Sequence, residues 1–123
     1  PSNKSVIKSE LKWIPYSEKA LAEAKEKGLP VMIDFWAEWC ESCFVIEKQT
    51  FNHPDVVPVL QNFVLLKYDA TETSDEFTAI QKKYDILGLP HIQFISADGA
   101  PTEALTGLEA PEAFLKRLER AVK

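Results

Sequence analysis

The stretch VMIDFWAEWCESC, residues 31–43, decides the fold of this chain. It opens with the apolar run Val31–Ala37, which is long enough for a buried strand, and the segment after Cys40 has helical character. The two cysteines of the chain, Cys40 and Cys43, therefore stand where a strand passes into a helix. Such a position is expected to expose one sulfur and shield the other.

The two sulfurs have different predicted roles. Cys40 falls at the helix N-terminus, where unpaired N–H groups and the positive end of the helix dipole favour a thiolate, so we interpret it as the nucleophile. Cys43 lies one turn further on, near enough to attack a mixed disulfide formed by Cys40, and is interpreted as the resolving thiol. The alternative is a structural disulfide, but so short a loop stabilises a fold by only on the order of 2 kcal/mol.

Length and composition restrict the class of protein. A chain of 123 residues with 46% hydrophobic content fits one globular domain that needs no structural metal. The net charge of -5 argues against nucleic acid or an anionic membrane surface as partner, because both attract basic patches. No apolar segment approaches the roughly 20 residues of a membrane span, so direct membrane insertion is not expected. The chain begins at Pro1 rather than Met, and we expect a domain excised from a longer protein.

Hydrophobic periodicity predicts an α/β domain with elements in the order β-α-β-α-β-α-β-β-α. This order is typical of a central mixed β-sheet flanked by helices, with parallel strands first and an antiparallel hairpin last. Residues 1–14 are an N-terminal extension with an edge strand. Ser17 caps the first helix, Gly28 stops it, and Thr73 with Glu76 forms a capping box for a later helix. The predicted strands are 6–14, 31–37, 63–68, 91–96 and 103–106, and the predicted helices are 17–27, 40–50, a turn at 56–60, one from 73 and one from 111.

Two acidic residues are candidates for tuning the cysteines. Asp34 is polar inside an apolar strand, and a buried carboxyl there would have a raised pKa and could exchange protons with Cys43. The alternative is a hydrogen-bonded or edge-exposed aspartate. Glu47 follows Cys43 by one helical turn, which places it on the same helix face, although a solvated surface glutamate would fit that spacing too. Lys67, on the strand expected beside Asp34, either pairs with its carboxylate or is exposed.

These residues carry a resemblance to a known family. The run Asp34–Cys43, together with Gly88-Leu89-Pro90 before a late strand, resembles the thioredoxin fold over most of the chain. The stretch EKQTF, residues 47–51, is more closely similar to the C-terminal periplasmic domain of the bacterial thiol:disulfide interchange protein DsbD. Two features depart from relatives: His91 replaces a small polar residue, and Glu41-Ser42 replaces the Gly-Pro of ordinary thioredoxins.

The resemblance implies a function and a location. It implies a periplasmic domain of an inner-membrane protein that takes electrons from a transmembrane domain and passes them to a periplasmic N-terminal domain. It also implies that Pro90 is a cis-proline facing the active site, that Leu89 offers backbone groups to a partner, and that Glu47 matches a functional glutamate. We expect a monomer with no cofactor beyond the Cys40–Cys43 disulfide.

Partner docking requires an exposed apolar rim, for which the candidates are Trp39, Phe44, Leu89 and Pro90. If Asp34 and Glu47 lie near the sulfurs, their negative charge opposes the helix dipole and raises the pKa of Cys40. A protein without a stabilised thiolate holds its disulfide firmly and donates electrons readily. The sequence therefore predicts a reductant.

Three other functions are open. The first is a free-standing or tethered thioredoxin-like reductase, such as a cytochrome c maturation protein. The second is a zinc-binding module, for which Cys40, Cys43, His53 and His91 are the only cysteines and histidines, at spacings unlike ordinary structural sites. The third is a redox-inactive interaction domain, which the presence of both sulfurs and of the Pro90 context disfavours.

Overall fold

The structure is a computed structural model that describes residues 10–122. Residues 6–9 of the first predicted strand lie outside the described residues. The predicted α/β order is confirmed, and a π-helical turn, Glu47–Phe51, continues the helix that follows the cysteines. The strands are β1 Trp13–Pro15, β2 Val31–Trp36, β3 Val64–Asp69, β4 His91–Ile95 and β5 Pro101–Leu105; the helices are α1 Glu18–Lys27, α2 Glu41–Ile46, α3 Val57–Leu60, α4 Asp75–Tyr84 and α5 Pro111–Ala121.

The strands form one mixed sheet in the order β1-β3-β2-β4-β5. β3 pairs in parallel with both β1 and β2, whereas β4 runs antiparallel to β2 and β5 antiparallel to β4. The thioredoxin fold with a mixed sheet is therefore confirmed. In the central strand β2, Asp34 stands between Lys67 of β3 and Ile92 of β4.

Apolar cores cover both faces of the sheet, because side chains alternate along β2. Val31, Ile33 and Phe35 pack against α1 and α4. Met32 belongs to the opposite core, which contains residues of α2, the π-helical turn and α5. Asp34 is two residues beyond Met32 and shares its face, so the carboxyl lies on the side of the sheet that the active-site helix covers.

Local side-chain chemistry sets the helix boundaries. Ser17 accepts a hydrogen bond from the Ala20 N–H at 3.0 Å, and Gly28 ends α1 in the left-handed region at φ 67°, both at the predicted positions. The capping box predicted at Thr73 is wrong. Ser74 is the N-cap of α4 and accepts from the Phe77 N–H at 3.0 Å, because it is the residue with extended backbone directly before the helix.

Substitution of the α4 cap gives a first test. Ser74→Ala is expected to lower the free energy of unfolding by about 1 kcal/mol, because the Phe77 N–H loses its acceptor. Thr73→Ala is the matched control and should leave the stability unchanged within about 0.5 kcal/mol, as expected for an exposed residue away from such features. Denaturant unfolding of both variants measures the difference. A larger loss in Thr73→Ala would place the cap where the sequence predicted it.

Candidate active site

The two cysteines form a disulfide at the N-terminus of α2, with a Cα–Cα distance of 5.4 Å. Cys40 is the N-cap residue, and the Cys43 N–H donates to the Cys40 Sγ at 3.2 Å. The Cys40 sulfur, the predicted nucleophile, therefore accepts a hydrogen bond from a backbone N–H at the positive end of the helix dipole. After reduction the same N–H would be available to a Cys40 thiolate.

Burial of the two cysteines differs less than predicted. Cys40 is 5% exposed and Cys43 is 2% exposed, because Ala37, Trp36 and Leu89 pack around the disulfide. The expectation of one clearly exposed sulfur is therefore wrong for the oxidised state. Of the two residues, Cys40 is the more exposed.

The Asp34 side chain is buried in the interior of the protein. Its side chain is 1% exposed, and neither carboxyl oxygen has a hydrogen-bond partner. Removal from water disfavours the charged form and raises the pKa of Asp34 to about 7; Lys67 opposes that rise through its positive charge, and Glu47 adds to it through its negative charge. A carboxyl with such a pKa can take up and release a proton near neutral pH.

Glu47 is placed by the helix that carries the cysteines. Its N–H donates to the carbonyl of Cys43, so the two residues are one turn apart, as the spacing predicted. Both the N–H and the side-chain amide of Asn52 donate to the Glu47 carbonyl, at 3.1 and 3.0 Å, across the π-helical turn. These two bonds hold the backbone of Glu47 in place. Sequence periodicity does not predict them, because the π-helical turn interrupts the regular helix.

Lys67 pairs with Glu47 rather than with Asp34. Its Nζ lies 2.9 Å from Glu47 Oε1, and the two side chains are 27% and 17% exposed. Both alternatives considered for Lys67 from sequence are therefore wrong: it is neither hydrogen-bonded to Asp34 nor a freely exposed strand lysine. Lys67 is thus in contact with Glu47 and in register with Asp34, and both charges act on the Asp34 carboxyl.

The four predicted docking residues differ in how far they are exposed to solvent. Trp39 is 65% exposed and Phe44 is 44% exposed, whereas Leu89 is half-buried against the cysteines and Pro90 is buried. The Leu89–Pro90 peptide bond is cis, as the resemblance implied. Phe44 also meets the ring of Trp36 edge-on, with centroids 6.0 Å apart.

A groove of about 330 Å³ runs beside this rim between Trp39 and Leu89. Thr71, Phe77 and Leu87 line it further, and Leu87 is 92% exposed. The indole N–H of Trp39 donates to the Thr71 carbonyl at 3.2 Å, which holds the ring at the edge of the groove. The sequence does not indicate Thr71, because a contact across more than thirty residues leaves no local pattern. For Leu87 the one signal is its position just before Gly88-Leu89-Pro90.

The histidines take part in local structure. His91 is buried against the Phe35 ring, and its Nε2 lies 2.9 Å from Gln93 Oε1. His53 Nδ1 accepts from the Asp55 N–H at 3.1 Å. Across residues 10–122 there is no group of three or more His, Cys, Asp or Glu side chains that could hold a metal ion. In the same range, none of the helices combines the length and apolar character needed to cross a membrane.

Comparison with known proteins finds relatives named thiol:disulfide interchange protein. The chain is 42% identical over 103 residues to the thiol:disulfide interchange protein DsbD of Vibrio cholerae, a match that covers 82% of this chain and 17% of the relative. It is 38% identical over 125 residues to DsbD of Yersinia enterocolitica, covering 97% of this chain and 21% of the relative. The chain thus spans about a fifth of the length of these curated relatives.

Solved structures and a family model agree with these matches. The reduced DsbD C-terminal domain of Neisseria meningitidis superimposes with a TM-score of 0.74 at 28% identity, covering 88% of this chain and 99% of that domain. The resemblance to DsbD inferred from sequence is confirmed. A family model described as thioredoxin-like matches residues 12–97. The chain therefore belongs to the thioredoxin-like family.

Proposed function

We propose that the chain is a thiol–disulfide reductase domain that donates electrons by dithiol–disulfide exchange. The observation that carries this proposal is the Cys40–Cys43 disulfide at the N-terminus of α2, on the face of the sheet where Asp34 is buried without a partner. A structural disulfide would need neither a helix N-terminus nor a buried carboxyl that titrates near neutral pH. Similarity to proteins named thiol:disulfide interchange protein supports the same chemistry.

The reaction uses both sulfurs of the reduced chain. The Cys40 thiolate attacks one sulfur of an acceptor disulfide, forms a mixed disulfide and releases the other acceptor sulfur as a thiolate. Cys43 then loses its proton, attacks the Cys40 sulfur and breaks the mixed disulfide, which restores the Cys40–Cys43 bond and frees the second acceptor thiolate. Two electrons pass from the dithiol to the acceptor, and the acceptor thiolates are protonated.

Asp34 and Glu47 have complementary parts in this proposal. Asp34, whose pKa lies at about 7, accepts the proton that Cys43 must lose in the second step. Glu47 is ion-paired with Lys67, so Asp34, Glu47 and Lys67 together carry one net negative charge when Asp34 is ionised, and this charge disfavours a stable thiolate at Cys40. A reduced form without that stabilisation holds its electrons less firmly, so the direction of transfer is from this chain to its partner.

The partners follow from the resemblance to DsbD. We propose that residues 1–123 are one domain of a larger inner-membrane protein, located in the periplasm, and that a transmembrane domain of the same protein reduces it. The acceptor is the N-terminal periplasmic domain, which docks on the exposed rings of Trp39 and Phe44 and on the backbone of Leu89 beside Pro90. Exposure of both rings beside the disulfide supports this rim. The domain acts as a monomer with its disulfide as the redox group.

Reduction of an unrelated protein disulfide tests the proposed activity. The reduced chain should precipitate insulin by cleaving its interchain disulfides, with an external dithiol as the electron source. Cys40→Ala is the control and should show no rate above that of the dithiol alone. Equal rates for the two chains would mean that Cys40 does not carry electrons, and the redox-inactive alternative would then stand.

A titration of the reduced chain gives a second prediction. The pKa of Cys40 is expected to lie at or above that of free cysteine, because the net negative charge of Asp34, Glu47 and Lys67 opposes the helix dipole. The double variant Asp34→Asn, Glu47→Gln should lower that pKa by about one unit or more. Thiolate absorbance against pH measures both chains. A pKa well below that of free cysteine would remove the argument for a reductant, and an unchanged titration in the variant would remove both acids from the site.

A further inference from the structure

Residues 106–110 join β5 to α5, and we call them the connecting segment. The register of the two last strands places the end of β5 beside the start of β4. Thr106 lines a cleft together with Leu89, and Leu108 lines a second cleft, of about 260 Å³, together with Val45 of α2. The connecting segment therefore lies between the cis-proline region and the helix that carries the cysteines.

Arg117 of α5 holds the connecting segment by the side chain of Glu109. Its Nε and Nη2 donate to the two carboxylate oxygens of Glu109 at 2.8 and 3.0 Å, and its Nη1 donates to Glu103 Oε1 at 2.6 Å. A two-point contact between guanidinium and carboxylate fixes orientation as well as distance. Arg117, which is only 16% exposed, thus ties the connecting segment to α5 and to β5.

The backbone of Glu109 is held from the other side. The hydroxyl of Thr50, a buried residue of the π-helical turn, donates to the Glu109 carbonyl at 2.6 Å. That turn continues the helix that carries the cysteines. Glu109 therefore contacts α5 through its carboxylate and the end of the active-site helix through its carbonyl.

Leu108, the residue before Glu109, is apolar yet 58% exposed. It lies beside Val45, and Val45 follows the exposed Phe44 of the predicted docking rim. An exposed apolar side chain next to such a rim is suited to contact a partner protein. Because Glu109 is bonded at both its carboxylate and its carbonyl, the backbone that presents Leu108 is restrained.

We propose that Arg117 is a positioning residue for the docking of a protein acceptor: through Glu109 it holds the connecting segment, so that Leu108 contacts an apolar part of the acceptor surface. The effect on docking rests on the proposed function, whereas the restraint on the connecting segment does not. Arg117 acts through Glu109 and is not itself a contact of the acceptor. The inference extends the docking surface to the last helix of the chain.

Reduction kinetics with two acceptors test the positioning role. Insulin is the protein acceptor, and bis(2-hydroxyethyl) disulfide is a small acceptor that offers no protein surface to Leu108. Arg117→Met should raise the KM for insulin about fivefold with kcat unchanged, because only binding of the acceptor is weakened. The rate with the small disulfide should stay the same. An unchanged KM for insulin would overturn the inference.

Arg120 supplies the matched control. It also donates to Glu103, at 3.2 and 3.3 Å, but it is 57% exposed and its printed contacts do not include Glu109. Arg120→Met should leave the KM for insulin where it is. An equal rise in Arg120→Met would assign the effect to net charge or to Glu103 and would contradict a specific role for Arg117.

A compensated variant keeps the test valid if the single change disturbs folding. Arg117→Met leaves the partly buried carboxylate of Glu109 without its cation, which is costly. Combining Arg117→Met with Glu109→Gln removes both charges and leaves no unpaired ion. The double variant should show the same rise in the KM for insulin, and a wild-type KM in this variant would contradict the inference.

A double-mutant cycle shows whether Arg117 acts through Leu108. Leu108→Ala should itself raise the KM for insulin about fivefold, because the apolar contact is lost. Added to Arg117→Met, it should raise the KM by less than about twofold more, since the two changes remove the same contact. If the two effects multiplied in full, Arg117 would not act through Leu108, and the inference would be wrong.

Nitrogen-15 relaxation separates this inference from the proposed function, because it needs no disulfide exchange. In the oxidised chain, backbone order parameters of residues 106–110 should fall in Arg117→Met and should not change in Arg120→Met. A chain that reduces neither insulin nor the small disulfide would contradict the proposed function, whatever its order parameters. An active chain whose order parameters and KM for insulin both stay unchanged in Arg117→Met would contradict the positioning role alone.

Discussion

The reduced Cys43→Ser variant is expected to accumulate a covalent adduct in which Cys40 is joined by a disulfide to its acceptor. The first attack needs only the Cys40 sulfur, which is the N-cap of α2 and the more exposed of the pair. The second attack is intramolecular, because Cys43 lies in the first turn of the same helix with its N–H 3.2 Å from the Cys40 sulfur. Removing the Cys43 sulfur therefore blocks release of the acceptor from the mixed disulfide but does not prevent Cys40 from forming that mixed disulfide.

The size of this effect follows from the geometry. A well-placed intramolecular group acts at an effective concentration far above the millimolar level of any external thiol. Turnover of the acceptor by Cys43→Ser should accordingly fall by at least about a thousandfold. Non-reducing electrophoresis and mass spectrometry detect the adduct, and addition of a dithiol should release the acceptor intact.

Cys40→Ser is the control for the trap. Its remaining sulfur, Cys43, is 2% exposed, so no acceptor should be captured. An adduct of equal yield in Cys40→Ser would assign the nucleophile to Cys43 and reverse the proposed roles. Capture of the N-terminal periplasmic domain would support the DsbD-type route, and capture of another class of protein in its place would favour a free-standing reductase.

The elements were predictable where one residue's local chemistry decides them. Ser17 before a helix and Gly28 after it mark the ends of α1, and each acts on backbone groups within four residues of itself. At α4, Thr73 and Ser74 are both good N-caps, and the choice between them depends on which backbone is extended. The sequence alone therefore does not show which of these two neighbours is the N-cap.

The sulfurs and the buried acid were predictable for a similar reason. Two cysteines one turn apart after an apolar strand, and an aspartate inside that strand, are unusual enough to stand out in the sequence. The partner of Lys67 was not predictable, because Asp34 is its neighbour in register and Glu47 reaches it from a helix elsewhere in the chain. The π-helical turn that carries Glu47 has no sequence signature of its own.

The contact between Trp13 and Lys67 was not predictable from the sequence either. Trp13 and Lys67 are far apart in sequence and become neighbours only because β1 pairs with β3. Periodicity predicts that each strand exists, but not which strands lie side by side. Long-range contacts between strands, rather than the elements themselves, are therefore what the structure adds to the candidate site.

Asp34→Asn is expected to stabilise the oxidised chain at neutral and alkaline pH. The ordinary pKa of this carboxyl is 3.8, and burial raises it to about 7 in the folded state. Between those two values the folded chain binds more protons than the unfolded chain, so the free energy of unfolding falls as the pH rises through this window. Above it, the native chain keeps an unpaired carboxylate in its interior, and the isosteric amide of asparagine removes that charge.

A pKa raised this far corresponds to a stability difference on the order of 4 kcal/mol, which should be fully present above about pH 8 and lost below about pH 4. Denaturant unfolding of the oxidised wild type and Asp34→Asn across this range measures it. Glu47→Gln is the matched control: Glu47 is partly exposed and paired with Lys67, so its neutralisation should not reproduce the rise. A constant difference between Asp34→Asn and wild type at every pH would show that Asp34 does not titrate in this window, and its role as the proton acceptor for Cys43 would fall with it.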